Sequence, residues 1–133
     1  MPAYLFVYGT LRPGQAAWPR LAPHARGAEP AWCRGRLVAF PEGYPGVVLG
    51  GDRRVHGELV ELIDPEAAWP ALDAYEGDEY ARVERAVETV RGPVTAWIYE
   101  LRSPALAARG APVPGGAWSG SDPAGRTSRP GDD

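Results

Sequence analysis

Leu5-Phe6-Val7-Tyr8-Gly9-Thr10-Leu11-Arg12-Pro13-Gly14 begins as a strand and ends as a loop. Leu5, Phe6 and Val7 form a short apolar run of strand formers that fits a buried strand. At Gly9 the character changes. A glycine here either takes backbone angles closed to other residues or lets something approach closely. Pro13-Gly14 marks a turn. The chain therefore leaves a buried strand through an exposed corner, Tyr8 to Leu11. The corner's amides can form a nest of donors for an oxyanion or a carboxylate. An ordinary strand end with a glycine turn fits the same residues.

The chain has 133 residues, a single-domain length, and 44% hydrophobic residues, enough for a core. Its net charge is −3, with a pI near 5.4, so no basic surface is dedicated to nucleic acid. All 14 basic residues are arginines. A lysine nucleophile or Schiff base is thereby excluded. With one cysteine, Cys33, no internal disulfide and no cysteine-based zinc site can form. Cys33 falls in an expected strand and reads as a small core residue. His24 and His56 are far apart, which gives little support to a histidine-centred metal site or triad. The N-terminus shows neither a signal peptide nor a membrane span, so the expectation is a cytoplasmic protein.

Along the chain, Gln15 to Pro30 reads as a loop with a helical turn that packs Trp18 and Leu21 onto the sheet. Strands are expected over Trp32–Phe40, with a bulge at Gly35, then Val47–Leu49, Val55–Ile63, Tyr80–Val90 and Val94–Leu101. Turns are expected at Pro41–Gly46, Gly50–Asp52 and Arg91–Pro93. Asp64-Pro65 starts a helix that breaks at Trp69-Pro70, resumes to Glu76 and ends at Gly77. About six strands and one principal helix give an α+β chain with short connections. A small mixed, mostly antiparallel β-barrel with one main flanking helix would protect its sheet edges. Trp118 is expected to fold back onto the barrel. The domain is expected over 1–118, with 119–133 a disordered tail lacking apolar periodicity.

The second informative stretch is Leu72-Asp73-Ala74-Tyr75-Glu76-Gly77-Asp78-Glu79-Tyr80-Ala81-Arg82. Helical spacing puts Leu72, Tyr75 and Glu76 on one face, directed at the core. A carboxylate there is costly unless something pairs or uses it. Burial raises its pKa from roughly 4.3 toward values useful for proton transfer. A Glu76 paired with Arg82, or exposed at the rim, fits equally well. Glu79 and Glu84 are expected on the loop and on an outer strand face.

Tyr-Gly-Thr-Leu-Arg-x-Gly at Tyr8–Gly14, then Leu-Asp-x-Tyr-Glu-Gly at Leu72–Gly77 and Tyr-x-Arg at Tyr80–Arg82, resemble the two signatures of the gamma-glutamylcyclotransferase-like superfamily. That group includes the gamma-glutamylamine cyclotransferases and the plant avirulence-induced-gene-like proteins. Gly43–Gly46, His56–Leu59, Ala96–Tyr99 and Val113–Trp118 are similar to its landmarks, so the resemblance covers nearly all of Met1 to Trp118. It implies the gamma-glutamylcyclotransferase-like fold and an enzyme without a cofactor. It also implies Glu76 as catalytic acid/base, the backbone of Tyr8, Gly9, Thr10 and Leu11 around a glutamyl head, and Tyr99 on the pocket wall. The implied partner is a small gamma-glutamyl substrate, with no nucleic acid and no membrane, on a monomer or weak homodimer. The chain departs from the family after Gly14, where Ala16-Ala17-Trp18 replaces an Asn-His pair common in relatives. The Gly77–Tyr80 loop is also short.

The implied reaction closes the substrate's own α-amine onto its γ-carbonyl, releasing 5-oxoproline and an amine. Three rivals remain at this stage. They are a glycosidase-like carboxylate pair of Glu76 with Asp73 or Glu58, a non-catalytic module binding a small carboxylate, and phosphate binding by the Gly9 loop. The last lacks any phosphate-loop pattern.

Overall fold

The computed structural model describes residues 3–118. The expected tail therefore lies outside the described residues. In chain order the elements are β1 (Ala3–Val7), the short helix α1 (Trp18–Leu21), β2 (Ala25–Ala39), β3 (Pro45–Leu62), α2 (Pro65–Glu76), β4 (Tyr80–Thr89), β5 (Gly92–Leu101) and β6 (Ala111–Pro112). Single 3-10 segments follow α1 at Ala22–His24 and β5 at Pro104–Arg109.

The strands lie in the order β3-β1-β5-β4-β2-β6, and β2 also pairs with β3, so the sheet closes into a ring. β1 runs parallel to β5; every other pairing is antiparallel. The seam is narrow: β2 meets β4 at the single pair Trp32–Glu88. This is the mixed near-barrel of an α+β fold, with α2 on its flank. Among the described residues no helix is long and apolar enough to cross a membrane.

β1 is central, flanked by β3 and β5, which explains why Leu5, Phe6 and Val7 are all buried. Its alternation feeds two cores. Phe6 and Tyr8 enter the barrel interior with Cys33, Leu37, Val47, Val55, Leu59, Val87, Ile98 and Trp118. Leu5 and Val7 face the outer core under α2 with Leu21, Val60, Trp69 and Leu72. Cys33 is thus a core residue, and Trp118 does fold back, at 3% exposure.

Several elements differ from the sequence reading: β3 opens at Pro45 and β5 at Gly92, both inside expected turns, and the two-residue β6 is not among the expected strands. β2 starts at Ala25, because Ala25 to Pro30 pair with β3 although they carry no strand signature. The expected strands over 47–49 and 55–63 form one element, β3. Between the Gly35–Leu49 and Arg34–Arg54 pairs the register shifts, and Gly50 to Arg53 swing out of the ladder. Gly50 and Gly51 adopt φ of 107° and 87° there. Finally, α2 is unbroken through Pro70. Pro70 removes one hydrogen bond to the first turn, and the buried Ala68, Trp69 and Leu72 hold the helix together across the loss. Asp64 caps the start, accepting from Ala67 N, and Gly77 at φ 78° ends it.

Candidate active site

Where β1 ends, the chain cannot continue as a strand. Arg12 N donates to Gly9 O at 3.0 Å and Ala17 N to Thr10 O at 2.8 Å, which folds Gly9 to Ala17 into a compact loop. These bonds use the carbonyls of Gly9 and Thr10. Among the described residues no acceptor meets the N–H of Gly9, Thr10 or Leu11. Arg12 ties the loop down: Nε and Nη2 donate to both Glu58 oxygens at 2.7 and 3.0 Å, and Nη1 to Trp118 O at 2.8 Å.

Gly9 is required for close approach, not for an unusual backbone angle, since its φ is not positive. A Cβ here would lie 2.5 Å from Pro45 Cγ. The chain's own Pro45 is what comes close.

Beside this loop lies a cavity of about 340 Å³, within the usual range for small-ligand sites. Its lining comes from the end of β1 at Phe6, Val7 and Tyr8, from the loop at Gly9, Thr10 and Leu11, and from Tyr75, Glu76 and Glu79 at and after the end of α2. Tyr44, Pro45, Tyr80 and Tyr99 complete it. The six residues singled out in the sequence, Tyr8, Gly9, Thr10, Leu11, Glu76 and Tyr99, thus share one cavity.

Glu76 is the last residue of α2 and is partly buried. Among the described residues its carboxylate has no hydrogen-bond or ion-pair partner. Burial, and after it the negative charge of Asp73, push its pKa from 4.5 to about 7. The negative end of the helix dipole acts in the same sense. Asp73, one turn earlier, has the opposite fate. Arg82 Nε and Nη2 donate to it at 2.9 and 3.1 Å, and Tyr99 OH at 2.7 Å. The Arg82 bonds, seconded by Tyr99, hold its carboxyl below the usual range against the effect of burial. Arg82 is therefore the partner of Asp73 and not of Glu76.

The two carboxylates have been driven apart in proton affinity. A glycosidase-like pair finds no support, because Asp73 is bound by Arg82 and Glu58 by Arg12.

The tyrosine hydroxyls are largely committed. Tyr8 OH donates to Tyr99 O at 2.5 Å, Tyr80 OH to Pro45 O at 2.6 Å, and Tyr99 OH to Asp73. Burial raises the pKa of all three phenols. Thr10 Oγ1 and Tyr75 OH are 2.8 Å apart at the mouth.

Two expectations are corrected here. Tyr75 is 36% exposed and lines the mouth rather than the core, because the core under α2 is filled by Trp69 and Leu72. Glu79 lies on the loop between α2 and β4, as expected, but it is not outlying. It lines the cavity, accepting from Tyr44 OH at 2.9 Å and from Arg109 at 3.0 Å. Tyr44, Pro45 and Tyr80 were missed as site residues. The signals available were the Gly43-Tyr44-Pro45-Gly46 cluster, which reads as a turn and as a family landmark, and Tyr80 in the Tyr-x-Arg signature. Among the described residues no group of three or more His, Cys, Asp or Glu side chains is placed to hold a metal ion.

A closed mixed sheet with a flanking helix, whose first strand runs into a loop with free amides facing one unpaired glutamate across a cavity, is the gamma-glutamylcyclotransferase-like fold. The family described as "Gamma-glutamyl cyclotransferase, AIG2-like" matches residues 5–120, and the chain belongs to it. None of the curated proteins matches the sequence. Among solved structures, YkqA from Bacillus subtilis is 32% identical with a TM-score of 0.70, covering 89% of this chain and 40% of YkqA. This chain thus spans well under half the length of that relative. PH0828 from Pyrococcus horikoshii is 28% identical, with a TM-score of 0.63, over 86% of this chain and 88% of its own. An AIG2-like protein from Mus musculus shares the fold at 23% identity and a TM-score of 0.69, over 99% and 98% of the two chains.

Proposed function

We propose that the chain is a gamma-glutamyl cyclotransferase, converting a γ-glutamyl amine or amino acid to 5-oxoproline and a free amine. The observation that carries this reading is Glu76: an unpaired carboxylate with a pKa near 7, sharing its cavity with the unclaimed amides of Gly9, Thr10 and Leu11. A group that titrates near neutrality can both accept and return a proton, which suits general base and then general acid catalysis.

In this reading the loop amides hold the substrate's carboxylate or the developing oxyanion. Glu76 takes a proton from the α-amine. The amine nitrogen bonds to the γ-carbonyl carbon, closing a five-membered lactam. Glu76 returns the proton to the departing nitrogen as its bond to that carbon breaks. Nucleophile and electrophile share one molecule, so folding the substrate and moving one proton supply the catalysis.

Incubation with a panel of γ-glutamyl compounds, scored by mass, tests the reading. The panel comprises amino acids, ε-linked lysine, polyamines and glutathione. The expectation is 5-oxoproline from at least one of them. If none yields 5-oxoproline while 5-oxoproline itself binds, the pocket is a binding module and the proposal falls.

A further inference from the structure

Three elements converge on Asp73. It projects from α2, Arg82 grips both its oxygens from β4, and Tyr99 donates to it from β5. Arg82 is itself held, its guanidinium 4.0 Å from the ring centroid of Trp69 and 5.0 Å from that of Trp97. A planar cation stacked on aromatic faces and bidentate to a carboxylate has little freedom left. Glu76 follows three residues later, and side chains at that spacing are neighbours on a helix.

We propose that Asp73 is a positioning residue for Glu76: Arg82 and Tyr99 clamp it as an anion one helical turn away, where its fixed charge acts on the Glu76 carboxyl. The inference rests on the reading of Glu76 as the acid/base.

The other groups around Glu76 do not share this role. Tyr8 faces it from the loop after β1, Tyr80 from β4 and Tyr99 from β5. Burial raises all three phenols, so they stay neutral throughout the range. Tyr75 is its neighbour at the cavity mouth, in contact with Thr10. Glu79, also on the cavity, is paired with Arg109 and bonded to Tyr44. Asp73 is the charge that raises the Glu76 pKa, and Arg82 is the opposite charge behind it.

Carboxyl-labelled glutamate in the whole protein gives a carbon NMR titration of Glu76, assigned by its loss in Glu76→Gln. Asp73→Asn should lower the Glu76 midpoint by about 0.5–2 units, as expected for one charge at helical-neighbour distance. Arg82→Gln leaves Asp73 charged and removes the cation, so the midpoint should rise. The opposite signs are the test, because mere loosening of the site would carry both variants down toward 4.5. If both fall, or neither moves, the proposal is overturned. If Asp73→Asn does not fold, a rise in Arg82→Gln supports the proposal and a fall overturns it. If Arg82→Gln does not fold, Asp73→Glu, which keeps the charge, takes its place, and the proposal stands only if its midpoint stays raised while that of Asp73→Asn falls. Opposite shifts in a protein that forms no 5-oxoproline would retain the coupling and overturn the reaction assigned to Glu76. Where turnover is measurable, its pH profile should move with the same signs.

Discussion

Pro45 occupies the place where a side chain on Gly9 would stand, with its Cγ 2.5 Å from an ideal Cβ. Pro45 is itself fixed, because its carbonyl accepts from the buried Tyr80 hydroxyl and residue 45 opens β3. The loop that offers its amides to the cavity is therefore braced from below by a residue 36 positions later in the chain.

Gly9→Ala should then lower both stability and activity. The overpacking is worth about 1–3 kcal/mol, seen as a fall in Tm of roughly 5–15 °C. The sequence alone would place the effect of a larger residue, such as Gly9→Val, mainly on activity. The Pro45 contact adds folding to it. Thermal unfolding checks this, and an unchanged Tm would mean that Pro45 yields.

Arg12 links the loop to β3 and to Trp118 through three hydrogen bonds. Both partners of the Arg12–Glu58 pair are only 22% exposed, so solvent screens it weakly. Arg12→Ala should cost about 1–3 kcal/mol and weaken 5-oxoproline binding, because the amides lose their frame. Arg12→Lys should fall between, since an ammonium cannot bridge both Glu58 oxygens and Trp118 O in one plane. Calorimetric titration with 5-oxoproline and thermal scans read both effects. Unchanged affinity in Arg12→Ala would show that the loop frames itself.

The raised pKa of Glu76 has a consequence for stability. The folded protein binds its proton more tightly than the unfolded chain does, between the ordinary 4.5 and about 7. Stability must fall as pH rises through that window. The penalty is absent below the unfolded value and complete above the folded one, with a ceiling of about 3 kcal/mol. Relative to wild type, Glu76→Gln should therefore gain stability from pH 4.5 to pH 7 and hold the gain above it. Denaturant unfolding at pH 4, 6 and 8 measures the difference. A difference independent of pH would mean that Glu76 titrates normally.

The legible parts of this molecule were the local ones. The loop of Tyr8 to Leu11 and the glutamate at the end of α2 are each set by neighbouring residues: a glycine after an apolar run, and a carboxylate on a helix face ended by Gly77. The rest of the cavity arrives from afar. Tyr44 and Pro45 read as a turn because nothing in their own segment shows that Gly9 and Tyr80 will pack on them. Arg82 was a candidate partner for Glu76, but Trp69 and Trp97 hold its guanidinium over Asp73. Ala25 to Pro30 carry no strand signature and become strand because β3 supplies a partner for them. In each case tertiary contact overrode local preference.

The proposed reaction turns on one carboxylate, and Glu76→Gln on a γ-glutamyl substrate tests it most directly. The variant should fold and bind 5-oxoproline, since the loop amides and not Glu76 are assigned to the head group. Its turnover should fall by about 10²–10⁴-fold, the usual contribution of a positioned acid/base. Glu84→Gln, at an exposed position on β4, should match wild type. A folded Glu76→Gln that turns over substrate at the rate of wild type would contradict the account.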